Sequence, residues 1–323
     1  MQTYFEAEIR NSIGLKDAIP AIEQSLAAYS SGLAILPGVI NLDLPEFEGE
    51  VHVKAAYLAG HDHYVIKVAS GFYKNPLHGL PTGDGLMLVY KAMTGELAAI
   101  LFDRGYLTDL RTAAAGAVAA RYLARADLRR VAVIGSGVQA RLQLLALAEV
   151  RSFSEVSVWS RHGANVERYV KEIAALLPQT RFHPSPSLEE AVREADIIIT
   201  ATPSREPLVK AEWLKPGVHI TAIGSDGPDK EELYPEVLAR ADFIFCDAVE
   251  QSRRLGEVHH ALQTGVISEE KISGEIGELV SGRKAGRRSA RDITVADLTG
   301  LGVEDAAIAE LFLRLAGDKW ENK

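Results

Sequence analysis

Val131-Ala132-Val133-Ile134-Gly135-Ser136-Gly137-Val138-Gln139-Ala140 is the stretch that decides the fold. Its first four residues read as a short buried strand, its glycines as a turn, and the apolar run from Ala140 to Glu149 as a helix. In a G-x-G-x-x-A turn so placed, the first glycine permits the tight bend and the second lets the backbone approach a diphosphate. The small third residue allows close packing of helix on strand. Unpaired N–H groups at the helix start, reinforced by the helix dipole, then attract the negative diphosphate. Alone the motif is weak, but here both flanks are right and further strand–helix units follow. Gly135, Ser136, Gly137, Val138 and Gln139 are therefore candidate dinucleotide contacts.

Downstream the alternation continues. Val156–Trp159, Ile197–Ala201, Val218–Ile223 and Phe243–Phe245 read as strands, and Val166–Leu177 as a helix. Apolar strands alternating with helices imply a doubly wound parallel sheet of Rossmann type, covered on both faces, in an α/β fold. The second strand ends Val158-Trp159-Ser160-Arg161-His162, without the carboxylate that would hold an adenosine ribose 2′-hydroxyl. Ser160, Arg161 and His162 suit a 2′-phosphate, which favours NADP(H) over NAD(H). Arg161 is also readable as a plain solvated charge at a helix entry.

Upstream, Val51–Tyr57, Tyr64–Ala69 and Leu86–Tyr90 are rich in β-branched and aromatic residues and read as strands, while Leu15–Tyr29 has helical spacing. Arg111–Arg121 is a helix of small side chains, suited to close packing. The chain ends in a helix over Glu304–Leu315 that can return to the first domain. The expected partition is 1–118, with 300–323 returning, as a discontinuous α+β substrate-binding and dimerisation domain, and 119–299 as the dinucleotide-binding domain.

The 323 residues carry 35 Lys and Arg against 44 Asp and Glu, a net charge of −9 that disfavours nucleic acid. Hydrophobic residues at 47% and charged residues at 24% are enough for a real core. A single cysteine, Cys246, cannot form an internal disulfide. No apolar stretch suits a membrane span, and Glu6, Glu8 and Arg10 stand where a signal peptide would be apolar. A cytoplasmic protein is expected. His259-His260 lacks partners at metal-binding spacing, so no metal site is expected.

Three further residues stand out. Lys67 interrupts the apolar strand Val65–Ala69, and a buried lysine needs an anion. Arg111 opens the small-residue helix, where it can join an anion site. Asp226 follows the strand Val218–Ile223, beyond whose carboxyl end ligands of open α/β sheets bind. Each also has a bland reading, as a snorkelling lysine, a helix salt bridge and a turn aspartate.

These residues converge. Ile66-Lys67, Asn75-Pro76, Gly79-Leu80-Pro81-Thr82, Asp109-Leu110-Arg111-Thr112-Ala113-Ala114-Ala115, the Gly135 turn, Ile223-Gly224-Ser225-Asp226 and Glu232-Leu233 give the chain a full-length resemblance to the ornithine cyclodeaminase/μ-crystallin family. Leu255–His260, Gly286-Arg287-Arg288-Ser289 and Ile293–Gly300 are most similar to the branch named for ectoine utilisation, itself similar to iminosuccinate reductases. The resemblance implies that Lys67 and Arg111 grip the substrate α-carboxylate and that Asp226 acts at the reacting centre. It places Thr82, Thr112 and Gly300 around the nicotinamide, with Thr202 and Thr299 completing the cofactor set. It also implies homodimers paired through their N-terminal sheets, and activities in deaminating cyclisation, imine reduction or amino-acid dehydrogenation.

Two departures narrow the substrate. Leu36-Pro37-Gly38-Val39-Ile40-Asn41 lacks the carboxylate-binding arginine that many relatives carry after this turn. Where ornithine cyclodeaminase holds the distal amine with an acid, this chain has Val51-His52-Val53-Lys54, and a lysine repels an ammonium. The expectation is an NAD(P)H-dependent reductase or dehydrogenase of a small imino or amino acid. Lys54 and His52 share a strand face that is equally readable as solvated surface; if it lines the pocket, Lys54 would read a second carboxylate at the end of the substrate farthest from Lys67 and Arg111. The alternatives are ornithine cyclodeamination with bound NAD, or a non-enzymatic ligand-binding role.

Overall fold

The alternating residues of the first third of the chain become a sheet with one face buried. In the computed structural model, which describes residues 1–321, the chain forms two units: Met1–Thr112 with the residues from Leu301 onward, and Ala113–Gly300. The first unit holds β1 (Gln2–Phe5), α1 (Glu6–Arg10), α2 (Leu15–Ser30), β2 (Ala34–Ile35), β3 (Val39–Leu44), β4 (Gly49–Leu58), β5 (His63–Phe72), β6 (Gly83–Lys91), β7 (Leu97–Phe102) and the start of α3 (Tyr106–Leu123). The sheet runs β1-β7-β6-β5-β4-β2, with β3 also on β4. β1 is parallel to β7, and the other pairs are antiparallel.

Side chains alternate between the two faces of this sheet. Ala56, Leu58, Val65, Met87, Val89 and Leu101 form the buried face. Ile19, Ile22 and Leu26 of α2 are equally buried, each worth about 1.5–3 kcal/mol on leaving water. The C-terminal helix Gly302–Glu321 packs on α2, β4 and β5. The outer face is apolar too. Ile40 and Leu42, 69% and 54% exposed, lie across from Val53 and Val51. Val53 pairs in turn with Val68, and Val68 with Leu86. A solvated face would alternate to polar residues here.

The second unit follows strand–helix alternation: β8 (Arg130–Ile134), α4 (Val138–Val150), β9 (Glu155–Trp159), α5 (Gly163–Leu176), β10 (Arg181–Pro184), α6 (Leu188–Val192), β11 (Ile197–Thr200), β12 (His219–Ala222), α7 (Pro235–Arg240), β13 (Phe243–Cys246), α8 (Val249–Ser252), α9 (Gly256–Gln263), β14 (Gly274–Glu275), α10 (Ile276–Val280) and β15 (Thr294–Asp297), before α11 (Gly302–Glu321) returns to the first unit. All pairings are parallel, in the order β10-β9-β8-β11-β12-β15-β13-β14. Val131 and Val133 belong to the core on one face, Ala132 and Ile134 to the core on the other. Strand order reverses at β8, the switch point where such sheets bind ligands.

Strands β1, β2, β3, β7, β10, β14 and β15 are additional to those read from sequence. β15 is the most consequential. Its four buried residues, Thr-Val-Ala-Asp, lie between β12 and β13 and follow a polar loop that hides them from a search for apolar runs. Within the second unit, a Cβ on Gly116 of α3 would overlap the side chain of Gln143 on α4, so the small-residue helix does pack closely. Among the described residues no helix is long and apolar enough to cross a membrane.

Candidate active site

The glycine turn joins β8 to α4 as its residue types require. Gly135 has φ of 123°, and a Cβ there would collide with the carbonyl oxygen of Ala201. Its N–H donates to the Trp159 carbonyl at 2.8 Å. Gly137 begins α4 with no side-chain cap, and a Cβ on it would meet nothing within 4 Å. With no side chain at Gly137, the backbone at the start of α4 can be approached closely, which is the requirement for an anion at a helix start. Ser136 and Gln139 are half-buried, and Val138 is 57% exposed. Arg141, which the sequence reading passed over, donates to the carbonyls of Ser136 and Gly137 while Glu172 holds its Nε at 2.7 Å. Carbonyl and N–H point oppositely in a trans peptide, so pinning these carbonyls turns the next N–H groups away from Arg141. The cradle fits a dinucleotide diphosphate.

Because the sheet is parallel, the other cofactor candidates lie beyond the same carboxyl edge. Past β9, Arg161 is exposed and has no ion-pair partner among the described residues; His162 is exposed; the Ser160 hydroxyl donates to the His162 carbonyl at 3.1 Å. Past β11, Thr202 donates its N–H and hydroxyl to Glu232 Oε1 at 2.6 and 2.7 Å. Past β15, the N–H groups of Thr299 and Gly300 donate to Asp247 Oδ2 at 2.8 and 2.5 Å. Past β12, Asp226 is exposed, and buried Lys230 donates to its Oδ1 at 2.7 Å. Lys230 was not singled out in the sequence; its signal was a basic residue four positions after Asp226.

In the first unit Lys67 and Arg111 meet on the covered side of the sheet. Lys67 is 3% exposed, with Nζ 3.0 Å from Asp305 Oδ2. Arg111, 5% exposed, donates from Nε to Asp305 Oδ1 at 3.0 Å and from Nη1 to Glu304 Oε2 at 2.8 Å. Both acids come from the first turn of α11. Burial is the main cause that lowers the Lys67 ammonium to about 8; Asp305 opposes this, and the charges of Arg111 and Lys54 add to it. Asp305 is pushed up by burial, but Lys67, Arg111 and Lys54 outweigh that and hold it below the usual carboxylate range.

The β4–β5 register corrects one expectation. Lys54 pairs directly with Lys67, so it belongs to this same charged group and does not mark a distant end of a pocket. Cross-strand neighbours of this kind are about 5 Å apart at Cβ. His52 lies on the same face, its ring hydrogen-bonded to Asn41 Oδ1 at 2.7 Å. Thr112 follows Arg111, its hydroxyl donating to the Thr108 carbonyl at 2.8 Å, while half-buried Thr82 precedes β6 and accepts from the Phe72 N–H at 2.8 Å.

The chain is similar to known proteins over its length. The chain is 37% identical to the alanine dehydrogenase of Archaeoglobus fulgidus, over 95% of this chain and 92% of the relative. It is 37% identical to the iminosuccinate reductase of Paracoccus denitrificans over 78% and 77%; that enzyme's crystal structure with NAD+ superposes with a TM-score of 0.90, covering 99% of this chain and 97% of that one, at 32% identity. The Δ1-pyrroline-2-carboxylate reductase of Thermococcus litoralis, solved with NADH and L-proline, gives a TM-score of 0.94 at 31% identity, covering 99% of this chain and 98% of that one. The profile of the ornithine cyclodeaminase/mu-crystallin family matches residues 1–320, and the chain belongs to that family.

Proposed function

We propose that the chain is an NAD(P)H-dependent reductase of a small α-imino acid, working in reverse as an amino-acid dehydrogenase. The observation that carries this reading is the charge group of the first unit. Two buried cations, Lys67 and Arg111, are held together by Asp305, with Glu304 on Arg111 and the charge of Lys54 acting on Lys67. Cations gathered in a buried place favour an anion that joins them. A substrate carboxylate is such an anion. The Lys67 ammonium has three donors, of which Asp305 takes one, so the lysine can bind and orient that carboxylate without breaking its own pair.

Gly135 to Gln139 would hold the cofactor diphosphate, with Thr82, Thr112, Thr202, Thr299 and Gly300 toward the nicotinamide. The bound cofactor supplies hydride to, or takes it from, the substrate carbon. Asp226 gives or accepts the proton at the substrate nitrogen, its carboxylate fixed by Lys230. The gathering of Lys54, Lys67 and Arg111 favours a dicarboxylic substrate: a protonated imine with two carboxylates carries −1, whereas one with a single carboxylate is neutral.

Turnover with NADH and NADPH is followed at the nicotinamide absorbance for oxaloacetate plus ammonia, pyruvate plus ammonia, cyclic imines and ornithine. Oxaloacetate plus ammonia should exceed pyruvate plus ammonia by about tenfold, the equivalent of about 1.4 kcal/mol, and Lys54→Ala should remove most of that preference. Pyruvate winning, or Lys54→Ala affecting both alike, removes the dicarboxylate. Proline formation from ornithine without net NADH favours cyclodeamination; cofactor binding with no turnover favours a ligand-binding role.

We also propose that the protein is a homodimer whose interface is the apolar outer face of the first unit's sheet. The support is the exposure of Ile40, Leu42 and Phe102, at 69%, 54% and 39%, on a face that lacks polar alternation.

A further inference from the structure

Behind the carboxyl edge of the second unit's sheet lies a chain of buried acids. Glu232 is fully buried and accepts three hydrogen bonds. Its Oε1 takes the N–H and hydroxyl of Thr202 at 2.6 and 2.7 Å, and its Oε2 takes the N–H of Gly224 at 2.8 Å. One carboxylate thus ties the loop after β11 to the loop after β12, two residues before Asp226. The fit is close: a Cβ on Gly224 would sit 2.6 Å from Glu232 Cδ and overlap the Thr202 carbonyl. Glu232 is itself anchored. Its own N–H and that of Leu233 donate to the two oxygens of Glu257, each at 2.9 Å. The N–H groups of Glu257 and Val258 donate in turn to Asp297, at the end of β15, at 3.1 and 2.9 Å. Glu257 thus grips the backbone that carries Glu232, and Asp297 the backbone that carries Glu257.

We propose that Glu232 is a positioning residue for the reaction, setting the Asp226 loop against the Thr202 loop through these three bonds. Three donors converge on it. A carboxyl group can accept all three, whereas an amide of the same shape would turn its NH2 toward the N–H of Thr202 or of Gly224. An acid needed only to fill the core would not be placed where two ligand-bearing loops meet. The proposal rests on Asp226 acting at the reacting centre, as read above.

The test is a double-mutant cycle on the full chain with NADH, ammonia and either oxaloacetate or pyruvate. Glu232→Gln should lower kcat by about 30-fold while the NADH Kd, read by fluorescence, stays within about threefold. Because Glu232 acts through Asp226, the double variant should turn over within about threefold of Asp226→Asn alone; a purely structural role would make the losses multiply. If Glu232→Gln does not fold, Glu232→Asp, which retracts the carboxylate by one methylene, takes its place in the cycle. Wild-type turnover in Asp226→Asn overturns the reading of the site and the proposal with it. Loss in Asp226→Asn beside wild-type kcat in the Glu232 variant, or multiplying losses, overturns the positioning role alone. In the wild-type protein the amides of Thr202 and Gly224 should show strand-like protection in hydrogen exchange; rapid exchange also overturns it.

Discussion

Lys67 shows how one side chain turns burial into a property that can be measured. Its ammonium is lowered from 10.5 to about 8, first by burial and further by Arg111 and Lys54, with Asp305 holding it from falling lower. If the charged form binds the substrate carboxylate, kcat/KM, which reports the free enzyme, falls as pH rises through about 8. An unperturbed lysine would sustain it beyond pH 10. Lys67→Arg keeps its charge across this range, so the variant should lose that alkaline limb even though its altered reach lowers activity by about tenfold or more. An alkaline limb that persists unchanged in Lys67→Arg would assign it to another group.

At the scale of elements, the end of β9 decides which dinucleotide binds better. It offers Ser160, Arg161 and His162 and no carboxylate, and Arg161 is exposed without an ion-pair partner among the described residues. Arg161→Ala should weaken NADPH by about tenfold and NADH by less than about twofold in fluorescence titrations; equal losses would show that Arg161 does not read the phosphate. Elements of this kind were legible in the sequence because their signals are local: glycines at a strand end, apolar runs, a lysine breaking a strand pattern. The partners were not. Asp305 lies more than two hundred positions from Lys67, and in sequence it is an ordinary acid in the first turn of a helix. Glu232, Glu257 and Asp297 lie in segments that carry the family resemblance, yet nothing local gave them a role, since only tertiary structure brings the backbone donors to them. β15 escaped because a central strand of four residues carries too little apolar pattern to register.

For the molecule as a whole, the outer face of the first unit's sheet predicts assembly. Size-exclusion chromatography with light scattering should give twice the 35.0 kDa chain mass. Placing charges on that face with Ile40→Glu and Val68→Asp should shift the species toward monomer, at low micromolar concentration, without unfolding either unit. A monomeric wild type, or a variant that stays dimeric, would remove this face from the interface.

The position of α11 has a consequence for the order of events during synthesis. A ribosome releases Lys67 and Arg111 early, then the entire second unit, and only afterwards Glu304 and Asp305. Through that interval the newborn first sheet lacks both the helix that covers it and the anions that neutralise its cations. The second unit, continuous in sequence, can complete its fold while the first waits. The half of the protein that begins first therefore finishes last, and a chain halted at Gly300 would hold a finished second unit beside a sheet with its counterions still unmade.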